Sequence, residues 1–169
     1  MLLTRSAGRD AAAPHDEALQ RFVALSAALT GYEEAELWGT GMVETYFDFT
    51  LRAAGPRVTG ELLSAWADLA SRGAHPSESL LREALLAPAR FGPVARNLVV
   101  LWYLGQWNQL PADWRDVHGA VVADQTGIVS PEAYTQGLVW EAIGTHPQGA
   151  KMPGYGSWAL PPTTPRALA

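Results

Sequence analysis

The segment from Pro93 to Leu110, PVARNLVVLWYLGQWNQL, constrains the fold more than any other stretch of the chain. Pro93 suits the first turn of a helix, where a backbone N–H would have no intrahelical partner anyway. The helix is expected to run to about Gln106. Val94, Leu98, Leu101, Trp102 and Gly105 fall on one face, and Val99, Val100, Tyr103 and Leu104 cover most of the rest. A helix that is apolar all round should be buried all round. In a small domain it therefore lies at the centre, or a partner covers one of its faces. Its strongly apolar run, Leu98 to Gly105, is too short for the roughly 20 residues that span a bilayer.

The other segments read as helices that could surround it. Ala (28) and Leu (21) far outnumber Val plus Ile (13), which favours helix over sheet. Leu19, Phe22, Val23 and Ser26, extended by Leu29, form a stripe from about Asp16 to a stop at Gly31. A second helix is expected over about Ala35 to Ala54. Gly39 and Gly41 weaken its first turns and point to an irregular start or a close crossing. Gly55-Pro56 ends it. A third follows Thr59 as N-cap and buries Leu62, Leu63, Trp66, Leu69 and Ala70 before Gly73. A short fourth is capped by Ser77 and runs to about Leu86. Pro111 to Gly127 is turn-rich, with Trp114 and Val117 suited to a short helical turn. The last helix opens on Ser130-Pro131-Glu132, which combines a cap, a proline at the first helical position and an acid near the positive end. It closes at Gly144. The expected fold is all-α: a single-domain irregular bundle of about six helices over residues 15–144. A flexible N-terminal arm, 1–14, precedes it, and an extended Pro/Gly-rich tail, 145–169, follows it.

Composition excludes several kinds of chemistry. There is no cysteine, so disulfides, thiolate-ligated zinc, iron–sulfur ligation by this chain and thiol nucleophiles are out. The net charge is −5, with one lysine, 11 arginines and no basic block; sequence-independent nucleic-acid binding needs a dense cationic face. His15, His75, His118 and His146 share no helix face, and no HExxH pair occurs. Glu33, Glu34, Glu36, Asp113, Asp116, Glu132 and Glu141 sit at expected helix starts and loops, where solvated acids are the plainer reading than an acid/base pair. No GxSxG frames a serine, and Gly39-Thr40-Gly41 is too short for a nucleotide loop. No catalytic, cofactor-binding or metal site emerges. The N-terminal stretch lacks the hydrophobic region of a signal peptide, so the chain by itself reads as cytoplasmic, with a periplasmic place in an exported complex as the alternative.

Aromatic residues are plentiful instead. Seven tryptophans, 38, 66, 102, 107, 114, 140 and 158, are many for a helical core of this size, and Trp is enriched at binding hot spots. The tail sets Met152, Tyr155, Trp158 and Leu160 along a segment without helical period, where they must lie on some surface.

Three segments together resemble a known family: FVALSAALTGY at 22–32, ARNLVVLWYLGQW at 95–107, and SPEAYTQGLVWEAIGTHPQGAKMPGYGSWALPP at 130–162. In this order they are similar to the small (gamma) subunit of bacterial FAD-dependent sugar and polyol dehydrogenase complexes, those of sorbitol, fructose and glucose. The resemblance implies a subunit that is not an enzyme and holds no cofactor. Its partner would be a large glucose–methanol–choline-type oxidoreductase that carries FAD, joined in several complexes by a multihaem cytochrome c. It also implies contact roles for Leu98, Leu101, Trp102, Tyr103 and Trp107, and for Met152, Pro153, Tyr155 and Trp158. Two other functions stand beside it: a stand-alone sugar or polyol oxidoreductase, and a helical binding module that self-associates.

Overall fold

A computed structural model describes residues 12–73, 76–119 and 121–147. Among these residues the fold is all-α apart from one two-stranded ribbon. In chain order the elements are α1 (Ala12–Thr30), α2 (Glu34–Gly39), α3 (Val43–Ala54), α4 (Pro56–Ala70), α5 (Glu78–Leu81) with a π-helical turn over Arg82–Leu86, α6 (Gly92–Leu104), β1 (Gln106–Trp107), α7 (Ala112–His118), β2 (Gly127–Ile128), α8 (Pro131–Thr135) and α9 (Val139–Ala142).

The apolar segment takes the central place that its composition demands. Helix α6 packs against α1, α3, α8 and the π-helical turn. Val94, Leu98, Leu101 and Trp102 are buried among Phe22, Tyr46 and Phe47. Cover is not complete on every side, since Leu104 is 44% exposed and Val99, Val100 and Tyr103 are half-buried. Gly105 then turns the chain at φ +66° into β1, which pairs antiparallel with β2 in the register Gln106↔Ile128 and Trp107↔Gly127.

Six expected helices become nine α-helical segments among the described residues, for local reasons. The second is broken: Gly41 adopts φ +70°, and Thr40 Oγ1 donates to the Leu37 carbonyl at 2.7 Å and accepts from Met42 N–H at 3.1 Å. The hydroxyl and the left-handed glycine together offer the backbone an alternative to helix. A Cβ at Gly39 or Gly41 would meet nothing within 4 Å, so neither marks a close crossing. The last helix divides at Gly137, where a Cβ would come within 2.7 Å of the Tyr103 carbonyl oxygen. The turn expected around Trp114 is the third addition, α7.

Thr59 is not an N-cap. Helix α4 begins at Pro56, directly after Gly55 at φ +85°, and the Thr59 hydroxyl donates back to the Gly55 carbonyl at 2.9 Å from inside the helix. Helix α1 starts at Ala12 rather than Asp16. Pro14 falls in its first turn, where the lost N–H has no intrahelical acceptor. The caps at Ser77 and Ser130 are as expected, accepting from Leu80 N–H at 3.4 Å and Ala133 N–H at 3.1 Å. No described helix is long and apolar enough to cross a membrane.

Candidate functional site

Tyr32, Tyr103 and Leu138 lie far apart in sequence and meet at one junction. Tyr103, on α6, donates its hydroxyl to the carbonyl of Thr30 at the end of α1 at 2.9 Å. Its ring meets that of Tyr32 edge-on, with centroids 6.1 Å apart. The Tyr32 hydroxyl donates to the Leu138 carbonyl at 3.4 Å, and Leu138 N–H donates to the Trp102 carbonyl at 3.0 Å. Two glycines make this approach possible. Gly105 sits so close to Ala133 that a Cβ there would overlap the Ala133 carbonyl group, and Gly137 lies against Tyr103. The C-terminal pair α8–α9 is thereby fixed to the central helix. Beyond it, Thr145 N–H donates to the Trp140 carbonyl at 2.8 Å, and Pro147 is buried.

A second feature starts at Trp107. Its indole N–H donates to Asp124 Oδ1 at 2.8 Å, and Leu110 N–H donates to the same carboxylate at 3.0 Å and 3.2 Å. Asp124 is only 2% exposed. A buried carboxylate needs such donors, and here they fasten the loop before β2 to the loop after β1. Asn97 adds a reciprocal pair with Asn108, donating to its carbonyl at 2.7 Å and accepting from its N–H at 3.1 Å. Phe49 of α3 packs edge-on against Trp107 at 5.6 Å. Above it opens a cleft of about 470 Å³ bounded by Phe49, Arg52, residues 122–123 and residues 125–129.

The expected contact residues are distributed differently from the sequence reading. Leu98 (1% exposed), Leu101 (0%), Trp102 (1%) and Trp107 (0%) are core. Their side-chain surface is already occupied by α1, α3 and the ribbon, so they cannot offer it to a partner, and the expectation for these four is corrected. Tyr103 is half-buried, with its hydroxyl engaged by Thr30. Met152, Pro153, Tyr155 and Trp158 lie outside the described residues. Of the six tryptophans described, 66, 102, 107 and 114 are buried, whereas Trp38 is 38% exposed. Besides Trp107, two donate to backbone carbonyls: Trp114 to that of Arg90 at 2.9 Å and Trp140 to that of Tyr134 at 2.7 Å. The Trp102 indole N–H has no acceptor among the described residues and lies beside Tyr46, whose ring meets it edge-on at 4.8 Å. Burial raises the Tyr46 phenol well above its usual pKa. Its hydroxyl faces the Ala133 carbonyl at 3.5 Å.

Sequence reasoning missed the cleft. Its residues come from α3 and from a stretch with no helical period. The available signal was a pair of β-branched apolar residues, Val121-Val122, amid turn formers. Among the described residues no three His, Asp or Glu side chains gather as metal ligands would. No family model, curated protein or solved structure matches the chain.

Proposed function

We propose that this chain is a non-catalytic small subunit that binds an FAD-dependent sugar or polyol dehydrogenase and supports the folding and maturation of that large subunit. The observation that carries this reading is the junction. The segments that resemble the family are at 22–32, 95–107 and 130–162, and each sends residues to the Tyr32–Tyr103–Leu138 contact. Motifs kept apart in sequence and joined in space suit a shared structural role, here a rigid base for the C-terminal region.

An obligate interface of this kind buries about 2,000 Å² or more. A subunit that binds only the folded partner stabilises it by mass action, by about 2.7 kcal/mol at a hundredfold excess over Kd. That suffices to raise the yield of a marginally stable flavoprotein without any chemistry in this chain.

Co-expression tests the reading. Without this chain, the amount of soluble, FAD-loaded large subunit should fall sharply. Undiminished yield and activity would reject the role. The isolated chain, given a dye acceptor and a panel of sugars and polyols, should show no turnover; turnover without the large subunit would make it an enzyme.

A further inference from the structure

Half of the large apolar residues that stand exposed among the described ones fall within a single stretch of twelve. They are Val117 (74% exposed), Val121 (37%), Val122 (89%) and Ile128 (51%). Scattered exposed apolar residues need no explanation, but a concentration of them marks a contact surface. Val122 and Ile128 line the cleft over Phe49. The cleft is not a frayed loop, because its floor rests on Trp107 and its wall is tied down by the buried Asp124 carboxylate.

Charge selects what can sit there. Arg52 is the one charged side chain among the cleft's lining residues. Its guanidinium carbon lies 5.8 Å from the centre of the Phe49 ring, its Nε donates to the Asp48 carbonyl at 3.3 Å, and it forms no salt bridge with a carboxylate among the described residues. A cation beside an apolar wall fits a carboxylate next to a large apolar side chain. Two other occupants fit poorly. The chain's own tail, 145–169, contains no Asp or Glu and carries Lys151 and Arg166. A second copy docked symmetrically through the same patch would offer Arg52 no carboxylate, because no residue lining the cleft is acidic.

We infer that this cleft is a docking site for a segment of the large flavoprotein subunit that carries an acidic residue beside a large apolar one. The inference rests on the reading of this chain as that protein's small subunit. It places a specific contact on α3 and the loop before β2, away from the aromatic residues of the central helix.

The absence of cysteine makes the test clean. Val122→Cys supplies a single thiol at an exposed position. In the isolated full-length chain a maleimide should modify it rapidly, and binding of the FAD-dependent large subunit should slow modification at least about tenfold. Arg52→Glu, checked for wild-type circular dichroism and melting, should weaken capture of that flavoprotein about tenfold or more, as reversal of a contact charge does. If the wild-type chain captures the flavoprotein but the thiol stays reactive and Arg52→Glu binds equally well, the cleft is not the contact, while the subunit reading survives. If the wild-type chain captures no flavoprotein, both fail. A thiol already protected in the isolated chain would mean that its own tail or a second copy fills the cleft, which would also overturn the inference.

Discussion

Replacing Asp124 by Ala isolates the bond system that holds the candidate docking surface in place. The carboxylate is 2% exposed and accepts from Trp107 Nε1 at 2.8 Å and Leu110 N–H at 3.0 Å. Its removal leaves two buried donors without their acceptor, and Trp107 is wholly buried, so water reaches that indole poorly. An orphaned buried donor costs about 1–3 kcal/mol, so the variant should lose about 2–6 kcal/mol. For a chain of this size each kcal/mol moves Tm by about 2–4 °C, which predicts a fall of at least about 4 °C. Urea unfolding followed by far-UV circular dichroism gives the free energy directly. A cycle with Trp107→Phe assigns it: phenylalanine keeps ring packing on Phe49 and removes the N–H. The two changes should therefore couple by about 0.5–3 kcal/mol. A loss below about 0.5 kcal/mol for Asp124→Ala, or additive behaviour in the cycle, would refute the assignment of this carboxylate as the lock on the loop.

Glycines separate steric need from conformational need. Gly105→Ala places a Cβ into the Ala133 backbone at φ +66° and should cost about 3 kcal/mol or prevent folding, whereas Gly41→Ala, at φ +70° in open space, should cost about 1 kcal/mol; comparison of their urea midpoints decides. Tyr103→Phe removes the bond to the Thr30 carbonyl and should cost about 1 kcal/mol by the same measurement, with the helical spectrum unchanged. The Tyr46 phenol, with its pKa raised by burial, keeps its proton in the folded chain at a pH where the unfolded chain gives it up. Stability from this source is complete below about pH 10 and declines above it; Tyr46→Phe should unfold with a shallower alkaline slope, and an identical slope would show that Tyr46 does not contribute.

The parts of the fold legible in the sequence were those governed by local chemistry. The Ser77 and Ser130 caps, the proline at the start of α8 and the left-handed stops at Gly31 and Gly144 all follow from backbone sterics and orphan N–H groups, whereas Gly105, expected on the face of a helix running to Gln106, ends α6 at Leu104. The burial of Leu19, Phe22 and Val23, and of Leu62, Leu63 and Trp66, follows from helical period. Thr59 misled because a hydroxyl that caps a helix can equally bond the carbonyl four residues back within one. The Pro111–Gly127 region was opaque for a different reason. Asp124 is separated by 17 residues from the indole it accepts from, and the β1–β2 pairing spans a similar gap; neither leaves a periodic trace. The tryptophans of the central helix and β1 looked like interface residues because an apolar ring looks the same in a core and on a contact surface. Packing from α1 and α3 decided for the core, and the exposed surface fell instead on small β-branched residues.

The central claim, that this chain grips a flavin dehydrogenase and has no turnover of its own, is tested most directly by light scattering on a gel-filtration column with flavin absorbance recorded in parallel. The account predicts one peak in which this chain, the large subunit and FAD absorbance travel together and all dehydrogenase activity resides. An active, flavin-loaded large subunit that elutes free of this chain, even at high concentrations of both, would contradict it.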